Sequence, residues 1–192
     1  MIFIPGFVIA AITFPGVIVH ELAHQVFCFL RRVPVYEVVY FQAKSPVGYV
    51  AHEPCDNPFT NFIVSVGPFI VNTVIGALIL LPASVEMTEF GMLNSMRAGN
   101  VDAASMLRAL PMLIAYWLGV SVLMHAFPST GDANALVSSV LKNRDVSLPI
   151  RALVAPVVGL IYIGAVGSVV LLDLGYAILV STLLPKAIGL LL

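Results

Sequence analysis

The sequence predicts an all-α polytopic membrane protein with about five transmembrane helices and a short membrane-associated β-hairpin after the first helix. Hydrophobic residues make up 60% of its 192 residues and charged residues only 10%, whereas soluble domains are roughly half apolar and about a quarter charged. Mean hydropathy is +1.03. Apolar residues also collect in runs that reach the roughly 20 residues needed to cross a bilayer. A soluble fold of this composition would lack a polar surface.

The spanning helices are predicted from these apolar runs. Three runs predict one helix each: residues 4–30, 59–81 and 109–127. The last stretch, residues 152–192, is too long for one span. Asp173 and Gly175 interrupt it and predict a hairpin turn there, which gives a fourth and a fifth helix.

The connections between the runs differ in character. Residues 34–53 are rich in β-branched and aromatic side chains, and Pro46 and Gly48 are typical turn residues, so we expect a short hairpin or extended pair. Residues 84–105 predict a polar loop. Residues 128–149 predict a second polar loop with a short helix at about residues 133–141.

Positive charge predicts the orientation in the membrane, because lysine and arginine concentrate in cytoplasmic loops. Placing the loop after the first helix on the cytoplasmic side brings six basic residues to that side: Arg31, Arg32, Lys44, Lys142, Arg144 and Arg151. The N-terminus is then predicted to face away from the cytoplasm. The net charge of −1, with no basic patch beyond the Arg31–Arg32 pair, predicts no nucleic-acid partner.

The first apolar run contains the sequence His20-Glu21-Leu22-Ala23-His24. Residues four apart lie on one helix face a turn apart, so two imidazoles can converge on one zinc ion. Glu21 points about 100° round the helix, where it can accept a proton from a zinc-bound water. Ionisable residues in an apolar span are costly and usually functional. We therefore predict a site for one Zn²⁺ per chain, with His20 and His24 as ligands and Glu21 as the general base.

A catalytic zinc needs a third protein ligand and an open position for water. Asp132 is the preferred candidate, because the charge distribution brings the end of the third helix to the same leaflet as His20 and His24. The alternative is an Asx turn or helix N-cap role for Asp132. Cys28 lies near the same helix face as His24, but a fourth protein ligand would close the open position.

The sequence resembles the site-2 protease family of intramembrane zinc metalloproteases. That family has His-Glu-x-x-His in a transmembrane helix, Gly-Pro…Asn in an intervening helix and Asn-x-x-Pro…Asp-Gly after a later one. His20–His24 matches the first motif, Gly67-Pro68 with Asn72 is similar to the second, and residues 125–132 are similar to the third. The resemblance covers roughly residues 14–136. It implies that Asp132 is the third zinc ligand.

The sequence departs from the family pattern at two positions. His125 stands where the family usually has Asn, and Ala133 where it has Gly. A neutral imidazole N–H can still donate a hydrogen bond to an oxyanion. The other interpretation makes His125 the zinc ligand, with Asp132 orienting it. Asn72 either hydrogen-bonds a substrate backbone or ties two helices together.

The expected function is zinc-dependent hydrolysis of peptide bonds in or near transmembrane segments of other proteins. We expect one integral-membrane domain over residues 1–192, with a catalytic core at about 4–136 and accessory helices at about 149–192. The active site should face the cytoplasmic leaflet, with Glu21, His125 and Asn72 as catalytic candidates. The partners are the lipid bilayer and a membrane-protein substrate, and a homo-oligomer is left open. The rival is a non-proteolytic zinc-binding membrane scaffold, chaperone or metal carrier.

Overall fold

The computed structural model describes residues 6–88 and 103–189, which are mostly helical with one small antiparallel sheet. The helices and strands follow one another in the order α1 (Gly6–Ile12), α2 (Phe14–Leu30), β1 (Val35–Val39), β2 (Tyr49–His52), α3 (Pro58–Thr88), α4 (Ala103–Met124), α5 (Thr130–Leu136), α6 (Leu148–Gly167) and α7 (Leu172–Gly189). A π-helical turn, Val137–Leu141, continues α5, and a 3₁₀ turn, Ser168–Val170, follows α6.

The described part of the chain supports two or three spanning helices and does not support the predicted five. Two helices are long and apolar enough to cross a membrane, Pro58–Val85 of α3 and the whole of α6. The bent pair α1–α2 makes a third if it counts as one span. The apolar part of α4, Ala109–Met124, is shorter than a span. Helix α7, with Asp173 in its first turn and Lys186 in its last, is not among the candidate spans of the described residues.

The first predicted span is two helices that meet at an angle of 90°. Pro15, in the first turn of α2, has no backbone N–H and would clash with the preceding turn of a continuous helix. Thr13 occupies the corner: its hydroxyl donates to the Ile9 carbonyl at 2.8 Å, and its own carbonyl accepts from the Ser121 hydroxyl of α4 at 2.8 Å. The corner's polar groups are therefore satisfied inside the protein.

The predicted hairpin over residues 34–53 is confirmed. Strands β1 and β2 pair antiparallel, with Val39 opposite Tyr49. A hydrogen bond with Glu37 on the neighbouring strand raises the pKa of Tyr49 above its usual value. The loop between the strands returns to α2, where the Tyr40 hydroxyl donates to the Gln25 side-chain oxygen and Gly48 lies beside Glu21.

Helix α3 continues beyond the predicted start of the first polar loop at residue 84. The Ser84 hydroxyl donates to the Leu80 carbonyl at 2.9 Å and the Leu81 carbonyl at 3.0 Å. Because this polar side chain is satisfied by its own helix, it can be buried without ending the helix. The rest of the predicted loop, residues 89–102, lies outside the described residues.

The second predicted loop does contain the expected helical segment, formed by α5 and the π-helical turn. The turn after α6, however, falls at Leu171 and not at Asp173–Gly175. Leu171 has φ 61°, the left-handed conformation that reverses the chain. Asp173 lies two residues later in the first turn of α7, where a carboxylate suits the helix N-terminus.

Close helix contacts form the core around the site. Helices α3 and α4 meet at Gly76 and Gly119, where a Cβ on Gly119 would lie 2.8 Å from the Leu80 Cβ and 3.0 Å from the Gly76 carbonyl oxygen. The Phe27 ring of α2 lies directly against Gly67 of α3. Small residues let the helix backbones approach each other, as they do in pairs of membrane helices.

Gly119→Ala should lower the thermal stability of the purified protein in detergent, with a cost of about 1–3 kcal/mol because the added methyl group overpacks the α3–α4 contact. The matched control is Gly159→Ala in α6, where an added Cβ meets no atom within 4 Å and helix propensity improves. Thermal unfolding should shift down for the first variant and stay equal or rise for the second. Equal shifts in both variants would contradict this packing.

Candidate metal and active site

One face of α2 carries the His-Glu-x-x-His residues into the interior. His20, Glu21 and His24 are 8%, 9% and 5% exposed. The two imidazole rings stack edge to face, with centroids 4.9 Å apart, as their four-residue spacing on a helix requires. Glu21 lies beside Val17 and the Gly48 backbone. The site therefore begins with two neighbouring imidazoles and an adjacent carboxylate, all buried.

His20 is oriented by a backbone carbonyl. Its Nδ1 lies 2.6 Å from the His125 carbonyl oxygen. A carbonyl only accepts hydrogen bonds, so Nδ1 carries the hydrogen and Nε2 keeps its lone pair. Imidazoles that bind metals usually donate their second N–H to a partner of this kind. His20 is thus prepared to offer Nε2 to an electrophile.

Asp132 lies next to the other imidazole. Its Oδ2 is 3.6 Å from His24 Nε2. Two ligands of one tetrahedral zinc, each bonded at about 2.0–2.2 Å, are separated by about 3.4 Å. The His24–Asp132 pair therefore has a separation that a shared metal ion would require.

Asp132 also has a structural role at the start of α5. Ser129 is the N-cap, and Asp132 closes a capping box with it. Its Oδ2 accepts from the Ser129 hydroxyl at 2.6 Å and from the Ser129 N–H at 3.2 Å. These bonds fix the carboxylate while it faces His24. Asp132 therefore both caps the start of α5 and lies beside His24.

The three predicted ligands, His20, His24 and Asp132, do not all lie at the mutual distances of a metal centre. Among residues 6–88 and 103–189, no three His, Cys, Asp or Glu side chains have the mutual distances of a metal centre. The chemistry of the donors still suits zinc, which takes imidazole nitrogen and carboxylate oxygen. The contact between buried His24 and partly exposed Asp132, and the free Nε2 of His20, are the parts of such a centre that are formed.

His125 contributes more through its backbone than through its ring. Its Nε2 lies 2.8 Å from the Thr13 hydroxyl at the α1–α2 corner, and its carbonyl accepts from His20. The Asp132 carboxylate is bonded to Ser129 and faces His24. The arrangement in which Asp132 orients His125 therefore has no hydrogen bond in the described structure to support it.

Asn72 ties three helices together below the site. Its side chain is 0% exposed. The amide nitrogen lies 3.3 Å from the Gly16 carbonyl, 3.2 Å from the Val122 carbonyl and 3.0 Å from the His125 carbonyl. These contacts favour the helix-tying interpretation over a direct contact with substrate. Asn72 and His20 thus share the His125 carbonyl as their acceptor.

A cavity of about 630 Å³ opens beside these residues, within the range of ordinary ligand sites. His20, Glu21 and His125 line one part of it, and residues 45–48 of the hairpin loop border it. The rest of the wall is largely apolar and includes Phe7, Ile9, Met124, Phe127 and Leu171. Glu21 thus borders a cavity whose wall is mostly apolar.

Several residues of the site had no motif to mark them. Thr13 and Ser121 complete the helix corner. Gly16 packs so closely that a Cβ there would overlap Ser121 and His125. Only the Pro15-Gly16 pair, a turn-like dipeptide in an apolar run, hints at this corner in the sequence.

Comparison of the chain with protein-family models, with curated proteins and with solved structures finds no match. Its function must therefore be argued from the site itself.

Asn72→Ala should lower stability by about 1–3 kcal/mol, because it removes the donor from buried carbonyls. It should also loosen His20, since both side chains bond to the His125 carbonyl. The measurement is thermal unfolding in detergent, with Asn134→Ala at an exposed position of α5 as the matched control. An unchanged midpoint for Asn72→Ala would exclude the helix-tying role.

Proposed function

We propose that this protein is a membrane-embedded zinc metalloprotease that hydrolyses peptide bonds in or near transmembrane segments of other proteins. The observation that carries the proposal is the position of Asp132 Oδ2, 3.6 Å from His24 Nε2, beside a helix face that presents His20 and Glu21 to a cavity. This combination of two imidazoles, a carboxylate from another element and a neighbouring glutamate suits metal-assisted hydrolysis.

His20, His24 and Asp132 are the residues that would hold the ion. A zinc ion bound there would polarise the scissile carbonyl and lower the pKa of a bound water to about 7. The chain itself supplies orientation: the His125 carbonyl holds the His20 imidazole, and Ser129 holds the Asp132 carboxylate. The ligands come from α2 and α5, so closure of the site depends on the packing of these two helices.

Glu21 is the proposed general base. Its carboxylate borders the cavity and is 9% exposed, so a water between it and a bound peptide would be shielded from bulk solvent. Glu21 accepts one proton from that water as the water oxygen adds to the peptide carbonyl carbon. It then passes the proton to the amide nitrogen as the C–N bond breaks, which balances the hydrolysis.

The oxyanion role expected for the His125 ring is not part of this proposal. The Thr13 hydroxyl donates to the Ile9 carbonyl, so its oxygen accepts from His125 Nε2–H, and a neutral imidazole has no second N–H to donate. His125 acts by positioning, because its carbonyl orients His20. Asn72 also acts by positioning, since its amide nitrogen contacts three backbone carbonyls. It holds the end of α4, and through the His125 carbonyl it holds His20.

The membrane arrangement is part of the proposal. The chain is multi-pass, with its N-terminus away from the cytoplasm and its site towards the cytoplasmic leaflet, as the basic residues favour. A helical substrate shields its amides by its own hydrogen bonds, so it must unwind locally before cleavage. The hairpin of β1 and β2, whose loop borders the cavity, offers backbone groups to an extended substrate by strand addition.

Glu21→Gln should retain zinc but lose cleavage by about 10²–10⁴-fold, because it removes the general base and leaves the ligands. Glu53→Gln, at an exposed position after β2, is the matched control and should cleave normally. The measurement combines metal content with cleavage of a panel of transmembrane peptides in detergent. Retained zinc with full biological activity in Glu21→Gln would instead support the non-proteolytic zinc-binding scaffold.

Asp132→Asn should reduce the zinc content of the purified protein well below one ion per chain, since a neutral amide is a weaker zinc ligand than a carboxylate. Asp145→Asn, in an exposed loop, should keep the metal. Metal analysis after dialysis separates the two. Full zinc content in Asp132→Asn together with loss of zinc in His125→Ala would identify His125, and not Asp132, as the third ligand.

A further inference from the structure

The cavity beside Glu21 carries a second acidic residue on a different element. Asp173, in the first turn of α7, lines the same 630 Å³ space as His20 and Glu21. Glu21 and Asp173 are the charged residues in its described wall, apart from any protonated histidine, and the wall includes no lysine or arginine. The cavity therefore has a carboxyl group at the end formed by α7 as well as at the proposed catalytic end.

No cation within the described residues neutralises Asp173. The hydrogen bonds that it accepts come from backbone N–H groups at the start of α7, including that of Leu174 at 2.9 Å. The one ion pair in the described part of the chain joins His24 to Asp132. A partly buried carboxylate in an apolar wall gains free energy from a cationic partner, and within this cavity that partner has to come from a ligand.

Accepting the proposed proteolytic function, we infer that Asp173 selects substrate segments that carry a lysine or arginine next to the apolar stretch to be cut. The apolar wall, with Phe7, Met124 and Phe127, receives the membrane-spanning side chains. Asp173 receives the positive charge in a charge-assisted hydrogen bond. The selected substrates are therefore apolar segments that carry a basic residue beside the region to be cut.

Asp173 also has a plain structural role as an acidic residue at a helix N-terminus, which is worth little at an exposed helix start. That role predicts equal effects on every substrate when the residue is changed. Selection by charge predicts an effect that depends on the substrate's charge. The two roles therefore separate by comparing peptides, and stability alone does not decide between them.

The test uses sets of three transmembrane peptides that differ only at one position beside the apolar stretch. That position holds Lys, Gln or Glu, and its place along the peptide is varied from set to set. The enzyme should cleave the best Lys peptide about tenfold more efficiently than its Gln counterpart, mainly through KM. Asp173→Asn should abolish this preference and leave cleavage of the Gln peptide nearly unchanged. Asp173→Glu should restore it, and Asp145→Asn should retain it.

Charge reversal makes the test sharper. Asp173→Lys should prefer the Glu peptide over the Lys peptide, the reverse of the native order. Binding of a fluorescent Lys peptide to Glu21→Gln, and to Glu21→Gln combined with Asp173→Asn, measures selection without cleavage. Weaker binding in the double variant supports the inference. If no peptide is cut by the native protein, that result overturns the proteolytic function but not the inference. Cleavage of all three peptides at equal rates would overturn the inference and leave the proteolytic function intact.

Discussion

Helix α4 ends inside the protein, and the carbonyl groups at its end need donors in a chain with few polar side chains. The last carbonyls of any helix lack partners in their own helix, and water does not reach them in an apolar interior. Asn72 supplies a donor to Val122 and His125, and His20 supplies a second donor to His125. The same contacts fix the imidazole of His20 and join α2, α3 and α4. The rest of the site is built on this shared carbonyl.

The corner between α1 and α2 also shapes the site. Had residues 6–30 formed one straight helix, α1 would extend away from the site and would not wall the cavity. The 90° bend turns α1 so that Phe7 and Ile9 face the same space as Glu21. Thr13, held by Ser121, makes the bend without leaving polar groups unsatisfied. A single proline near the corner thus helps convert a membrane span into one wall of a cavity.

The sequence predicted the elements whose local signals agree with their packing. A segment rich in β-branched and aromatic residues, with Pro46 and Gly48 as turn signals, predicted the hairpin. The His-Glu-x-x-His spacing predicted two imidazoles on one helix face. It failed where tertiary contacts decide. The bend at Thr13 depends on Ser121, over a hundred residues away, and α3 continues past Ser84 because that hydroxyl bonds within its own helix. The five predicted spans came mainly from the lengths of the apolar runs, which do not register that bend. The roles of Asp132 and Asn72 could not be chosen from the sequence, because they depend on contacts with His24 and Ser129 and with the His125 carbonyl.

The central claim is that α2 and α5 together hold one zinc ion through two imidazoles and one carboxylate. X-ray absorption at the zinc edge of the purified protein tests it most directly, since nitrogen and oxygen ligands lie at about 2.0–2.2 Å and sulfur at about 2.3 Å. The account predicts one zinc with nitrogen and oxygen neighbours only, two of them imidazoles. A sulfur neighbour, which would bring in Cys28 or Cys55, or a protein that binds no zinc at all, would contradict it.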